Sequence, residues 1–255
     1  SVNKPYAFNG KMALFFGDSI TKGHTDGNTT TPNGFPRLFS DKVGMSFTNL
    51  AVSGTTLSEG IANAVTNATL NSDFVFIAGG VNDWQLGVAL STFRSNLENL
   101  CSYLKTSYTG EVIFITPINE AGWVSSKVVA DLQEYRNIIT EVAIQHGFSV
   151  VQGNLFNFPT KSGNESYINA VFGDKLHPTE LGYQLYAKGL ATVLCGSSKT
   201  DSYSANNITA GTFAGQVVAN ANGQPSDAAC LRNSKFTADK DVLPTVDGEI
   251  VWYYE

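Results

Sequence analysis

The sequence predicts an α/β chain, a three-layer sandwich in which a five-stranded parallel sheet lies between helices. Three observations predict it. Five short apolar runs recur along the first two thirds of the chain, each closed by glycine or proline. Stretches with helical spacing fall between the later runs and after the last. The runs are apolar almost without interruption, as suits strands buried on both faces of a parallel sheet.

The elements follow in order. Residues 12–16 are the first run and end at Gly17. Residues 46–52 are the second and end at Gly54. Residues 73–78 are the third, closed by Gly79 and Gly80, and residues 111–116 the fourth, closed by Pro117. Residues 148–151 are the fifth, closed by Gly153. A helix is predicted over 89–103, where Leu90, Phe93, Leu97 and Leu100 recur every three or four residues. A second spans 126–145, with Val129, Leu132, Tyr135, Ile139 and Val142 on one stripe and Gly147 as its stop. A third spans 178–194 with Pro178 in its first turn. The connections 21–36 and 153–173 read as long polar loops.

Residues 1–195 therefore read as one domain. Residues 196–210, rich in Ser, Thr and Asn, read as a linker. Residues 211–255 carry strand-like pieces at 212–218 and 249–254 and read as a small β appendage. Charged residues are 15% against about 25% in an average domain. With 42% apolar residues, that balance argues against a disordered chain. A net charge of −6 argues against a general nucleic-acid binder, which needs a basic stripe. No apolar run approaches transmembrane length, so no membrane partner is expected. Residues 1–6 show no apolar signal core, although a processed chain and a fragment would both begin this way. Cys101, Cys195 and Cys230 make neither a CxxC pair nor a metal spacing, and read as buried or idle thiols.

In a doubly wound sheet, ligands bind beyond the carboxyl ends of the strands. Four segments meet there: Gly17-Asp18-Ser19, Ser53-Gly54, Gly80-Val81-Asn82-Asp83, and Asp174-Lys175-Leu176-His177 just before the last helix. Together they hold the parts of a serine nucleophile site. Ser19 sits at a strand-to-helix turn, His177 is a candidate base, and Asp174 is close enough to orient it. Candidate oxyanion donors are the backbone N–H groups of Ser19 and Gly54 and the side-chain amide of Asn82. Each part alone has a plainer reading: Ser19 as a helix cap, the glycines as strand ends, Asn82-Asp83 as a turn. Competing motifs are missing. Ser19 has no Gly-x-Ser-x-Gly elbow, Lys22 precedes Gly23 in the wrong order for a phosphate loop, and no His/Asp/Glu group has metal spacing.

These four blocks, in order over roughly residues 10–195, resemble those of the SGNH (GDSL-type) hydrolases. The resemblance implies a flavodoxin-like fold and ester hydrolysis through an acyl-serine intermediate. It implies Ser19 as nucleophile, His177 as base, Asp174 as its partner, Gly54 and Asn82 as oxyanion donors, and no metal or cofactor.

The rim loops suggest the substrate. They are rich in Thr, Asn and Gly, with Trp84 directly after the Asn82-Asp83 pair and Trp123 after the fourth strand. Polar loops with isolated aromatics suit a sugar better than an acyl chain, which would prefer an apolar trough. Trp84 and Trp123 are therefore expected as stacking faces, and His24, five residues after Ser19, as a further lining residue. The expectation is removal of short acyl groups, chiefly O-acetyl, from a carbohydrate. The alternatives are a lipid-directed esterase or thioesterase of the same fold, and a non-catalytic glycan-binding protein on this scaffold. Segments 214–220, 231–233 and 248–255 bear a faint resemblance to C-terminal parts of phage or prophage tail-type proteins. That resemblance implies work on a surface polysaccharide, an extracellular or phage-particle location, and oligomerisation through the tail.

Overall fold

Five strands make one sheet, parallel throughout, in the order β2-β1-β3-β4-β5. They are β1 Met12–Gly17, β2 Ser46–Asn49, β3 Phe74–Ala78, β4 Glu111–Ile115 and β5 Ser149–Val151. The computed structural model describes residues 8–27, 29–122, 125–156, 158–160 and 162–195. The linker and β appendage expected over 196–255 lie outside the described residues, as does Trp123.

The α-helices are α1 Ser19–Lys22, α2 Phe35–Val43, α3 Ala62–Asn67, α4 Val81–Leu86, α5 Leu90–Ser107, α6 Leu132–Gln145, α7 Glu165–Val171 and α8 Glu180–Cys195. A π-helical turn, Leu57–Ile61, leads into α3. Helix α2 packs on α8, and α5 on α6. The inner strands β1, β3 and β4 are buried along nearly their whole length, so both faces of the sheet are covered. Aromatic rings fill much of the space between the layers. Phe15 stacks on Phe76 with ring centroids 4.6 Å apart, and Phe35 on Tyr186 at 4.0 Å. Truncating such a buried ring to alanine typically costs about 3–5 kcal/mol.

All five strands fall where the apolar runs predict them. The differences lie at element ends and in the connections. Strand β2 stops at Asn49 rather than 52, although the N–H groups of Leu50 and Val52 still donate to Phe15 and Gly17. It is an edge strand and largely exposed, so its apolar reading was too generous. Helix α6 starts at Leu132, not 126, and Val129 is 63% exposed rather than on its buried stripe. Both supposed loops contain helix: α2 begins at Phe35 inside one, and α7 occupies the second half of the other. Helix α2 did have a signal, because Phe35, Phe39 and Val43 recur every four residues, with Pro36 in the first turn and Gly44 as the stop.

The order places the switch point of the sheet between β1 and β3. From β1 the chain crosses to β2 on one side, then returns to place β3 on the other. The crevice beyond the carboxyl ends of β1 and β3 is where such a fold holds its ligand.

Candidate active site

Ser19 is the first residue of α1, directly beyond β1. The turn before it is tight. A Cβ at Gly17 would collide with the Thr21 side chain and lie 2.8 Å from the Ala78 carbonyl, so only glycine fits. Asp18 caps the helix, its carboxylate accepting from the Ile20 N–H at 2.9 Å. Gly23, at φ 99°, closes α1 in the left-handed region after one turn.

His177 lies 158 residues further on, yet its Nε2 is 2.8 Å from the Ser19 Oγ. Its Nδ1 is 2.7 Å from Oδ2 of Asp174. A carboxylate only accepts, so Nδ1 carries a proton and Nε2 is left to accept from the serine hydroxyl. The turn 174–177 is self-locking. Oδ1 of Asp174 accepts from the backbone N–H groups of Leu176, at 3.1 Å, and His177, at 2.7 Å. Lys175 takes the left-handed conformation at φ 68°, and Phe172 and Pro178 form an antiparallel bridge that closes the loop. The Lys175 carbonyl also accepts from the Ala121 N–H, which ties this turn to the connection after β4.

Of the three donor candidates, one is the N–H of Ser19 itself, and Gly54 and Asn82 sit in the segments that follow β2 and β3. Asn82 is in the first turn of α4, just past β3, and its Nδ2 donates one hydrogen to the Thr55 carbonyl at 2.8 Å. The second amide hydrogen has no acceptor among the described residues. The N–H groups of Ser19 and Gly54 are likewise without an acceptor there. Gly54 adopts φ 76°, and a Cβ built on it would meet nothing within 4 Å, so open space lies beside it.

Asp83 belongs to the Gly80–Asp83 motif, and its role emerges only from the fold. It is fully buried and clamps the loop that carries Gly54: its carboxylate accepts from the N–H groups of Leu57, at 2.7 Å, and Ser58, at 3.0 Å. Burial raises its pKa above the ordinary carboxylate value, while the Ser58 and Leu57 donors oppose that rise. Arg136 also went unnoticed. Buried on α6, it donates to the carbonyls of Pro117 and Ile118 and so holds the connection after β4. Neither role can be read locally, because the partners lie 18 to 26 residues away.

Trp84 corrects one expectation. It is 4% exposed, and its indole N–H donates to the Ala130 carbonyl at 2.9 Å. It is a core residue that anchors the segment before α6, with no open face for a sugar ring. His24 does come to the site: its ring centroid is 5.8 Å from that of His177, and its Nε2 is 2.7 Å from the Ser53 Oγ. Among the described residues, no cluster of three His, Cys, Asp or Glu side chains is arranged to hold a metal.

As a whole the site has a hydroxyl bonded to an imidazole, a carboxylate fixing that imidazole's tautomer, and three N–H groups without acceptors among the described residues. That set is able to generate an alkoxide and to receive a developing oxyanion. Comparison with known proteins agrees on the family. A family model described as GDSL-like lipase/acylhydrolase matches residues 15–185. No curated protein matches the chain. Similar solved structures include a protein from Lactobacillus plantarum, 21% identical, covering 74% of this chain and 99% of its own, with TM-score 0.64. A lipase/acylhydrolase from Enterococcus faecalis is 21% identical, covers 73% of this chain and 96% of its own, and has TM-score 0.57. An acetylxylan esterase from Geobacillus stearothermophilus is 19% identical, covers 76% of this chain and 97% of its own, and has TM-score 0.56. At such identities the structural likeness speaks for the fold, whereas the family rests on the model match: this chain belongs to the GDSL-like lipase/acylhydrolase family.

Proposed function

We propose that the chain is a serine esterase that removes short acyl groups, chiefly O-acetyl, from a carbohydrate. The observation that carries the catalytic part is the unbroken hydrogen-bond line from Ser19 Oγ through His177 to Asp174. Ser19 attacks the ester carbonyl carbon as its proton passes to Nε2 of His177. The imidazolium is held by Asp174, and the oxyanion is met by the N–H groups of Ser19 and Gly54 and by the Asn82 amide. On collapse, His177 gives its proton to the sugar oxygen and leaves an acyl-Ser19. Water, activated by the same imidazole, then attacks the acyl carbon. Acetate departs and Ser19 regains its proton.

Three observations support the acyl and sugar classes. The partly open cavity behind the nucleophile turn, bordered by Asp18, Ile20, Pro117 and Leu176, holds about 20 Å³, space for roughly one water molecule and for no acyl chain. The loop after α1 offers Thr25, Thr29, Thr30 and Asn33, side chains suited to hydroxyl-rich ligands. One solved structure of similar fold is named an acetylxylan esterase. The test is a panel of p-nitrophenyl esters from acetyl to palmitoyl, run beside acetylated xylan and acetylated sialic acids. kcat/KM is expected to fall from acetyl to octanoyl. Each buried methylene contributes about 0.8 kcal/mol, so an enzyme with an acyl trough would instead gain with chain length. Rising activity out to octanoyl would replace this reading with a lipid-directed esterase.

A further inference from the structure

Beside the Ser19–His177–Asp174 line stands a second serine–histidine pair. Ser53 Oγ lies 2.7 Å from Nε2 of His24, and Nδ1 of His24 lies 3.3 Å from the Asp26 carbonyl oxygen. A carbonyl can only accept, so Nδ1 bears the proton and Nε2 accepts from the Ser53 hydroxyl.

His24 is itself well anchored. Its N–H donates to the Ser19 carbonyl at 2.9 Å, and its own carbonyl accepts from the Tyr183 hydroxyl. Ser53 is held differently. The N–H of Val52 before it donates to Gly17, and the carbonyl of Thr55 after it accepts from Asn82. Between those two anchors, Ser53 Oγ makes the sole hydrogen bond of residues 53 and 54 among the described residues. The N–H of Gly54 belongs to the Ser53–Gly54 peptide plane. Whatever fixes Ser53 therefore aims that N–H. Gly54 cannot hold the plane by itself, since glycine is the residue with the widest backbone freedom.

We infer that His24 and Ser53 form a positioning latch that runs from the nucleophile's own carbonyl to Gly54 and aims the Gly54 N–H at the oxyanion. This rests on the esterase reading above. His24 is then a positioning residue for the transition state and not a contact for the sugar. An oxyanion donor that is misaimed is lost only in part, so the effect stays below the 10²–10³-fold typical of removing one.

The experiment measures kcat and KM on p-nitrophenyl acetate for His24→Ala, Ser53→Ala, the double variant and Ser53→Thr. Each alanine variant is expected to lower kcat about 10- to 100-fold with KM within about twofold. The double variant is expected to fall no further than the single ones, because both break one latch. Ser53→Thr, which keeps the hydroxyl, is expected to retain most of the wild-type kcat. A raised KM with unchanged kcat in His24→Ala, or losses that multiply in the double variant, would overturn the latch. The Gly54 amide signal in ¹H–¹⁵N NMR spectra gives a readout that needs no turnover. It is expected to move or broaden in both alanine variants and to stay in place in Ser53→Thr. An unmoved signal in folded Ser53→Ala would overturn the latch even if the protein proved inert on esters, whereas an inert wild type by itself overturns only the esterase reading.

Discussion

Two turns at the rim of the sheet are built in opposite ways. The 172–178 turn, which carries His177, is held mostly from within: Asp174 binds the His177 ring and two backbone N–H groups in the next three residues. The 52–58 loop, which carries Gly54, is held mostly from outside, by Gly17, His24, Asn82 and Asp83. The base is set by a four-residue motif and the oxyanion loop by the assembled fold. Damage to the first should therefore stay local, whereas damage to the second should follow from residues far away in sequence.

The variants that strike the first turn and its serine have the largest expected effect. Ser19→Ala and His177→Ala should each lower kcat by about 10⁴-fold or more, with far-UV circular dichroism unchanged. Wild-type turnover in Ser19→Ala would remove it as the nucleophile. Asp174→Asn should cost on the order of 10⁴ in kcat, because an amide stabilises the wrong imidazole tautomer. Near-normal kcat in that variant would reduce Asp174 to a turn cap.

The externally held loop should respond less. Asn82→Ala removes a direct donor and also frees the Thr55 carbonyl, so a loss of about 10²–10³ in kcat is expected. A loss of this size in kcat with little change in KM is the signature of an interaction made in the transition state, and a change confined to KM would contradict that assignment.

This contrast also explains what could be read from the sequence. The five strands were legible because their apolar runs are uninterrupted, and Ser19, Asp174 and His177 because each lies in a short motif at the end of an element. The tertiary clamps were not. Asp83 bonds to a loop 25 and 26 residues earlier, and Arg136 to carbonyls 18 and 19 residues earlier, with no local pattern to announce either. Trp84 misled for a related reason. Its place after Asn82-Asp83 suggests the rim, but two steps along a helix from Asn82 turn the side chain by about 200°, and here that turn takes it into the core. The helices without a sequence expectation are short ones, α3, α4 and α7, together with α2, whose four-residue period lies beside a polar loop.

The smallest effect is on stability rather than rate. Burial holds the Asp18 pKa at about 6, against an ordinary 3.8, despite the opposing Ile20 N–H and the nearby His177. Between those two values the unfolded chain releases the proton and the folded chain keeps it. Stability contributed by the protonated carboxyl is thus full below about pH 4 and is lost as pH rises towards about 6. At 1.36 kcal/mol per unit, the swing is about 3 kcal/mol. Asp18→Asn, which cannot ionise, should flatten this part of a urea-denaturation profile against pH. An identical slope in the variant would place the titration elsewhere.

The central claim is that Ser19 is the nucleophile of an acyl-enzyme, activated by the neighbouring turn. Its most direct test is mass-spectrometric peptide mapping after exposure to a fluorophosphonate. The account predicts one phosphonyl group on the peptide carrying Ser19, formed in the wild type and greatly slowed in His177→Ala. A label on another residue, or continued ester hydrolysis by a protein that takes up no label, would contradict it.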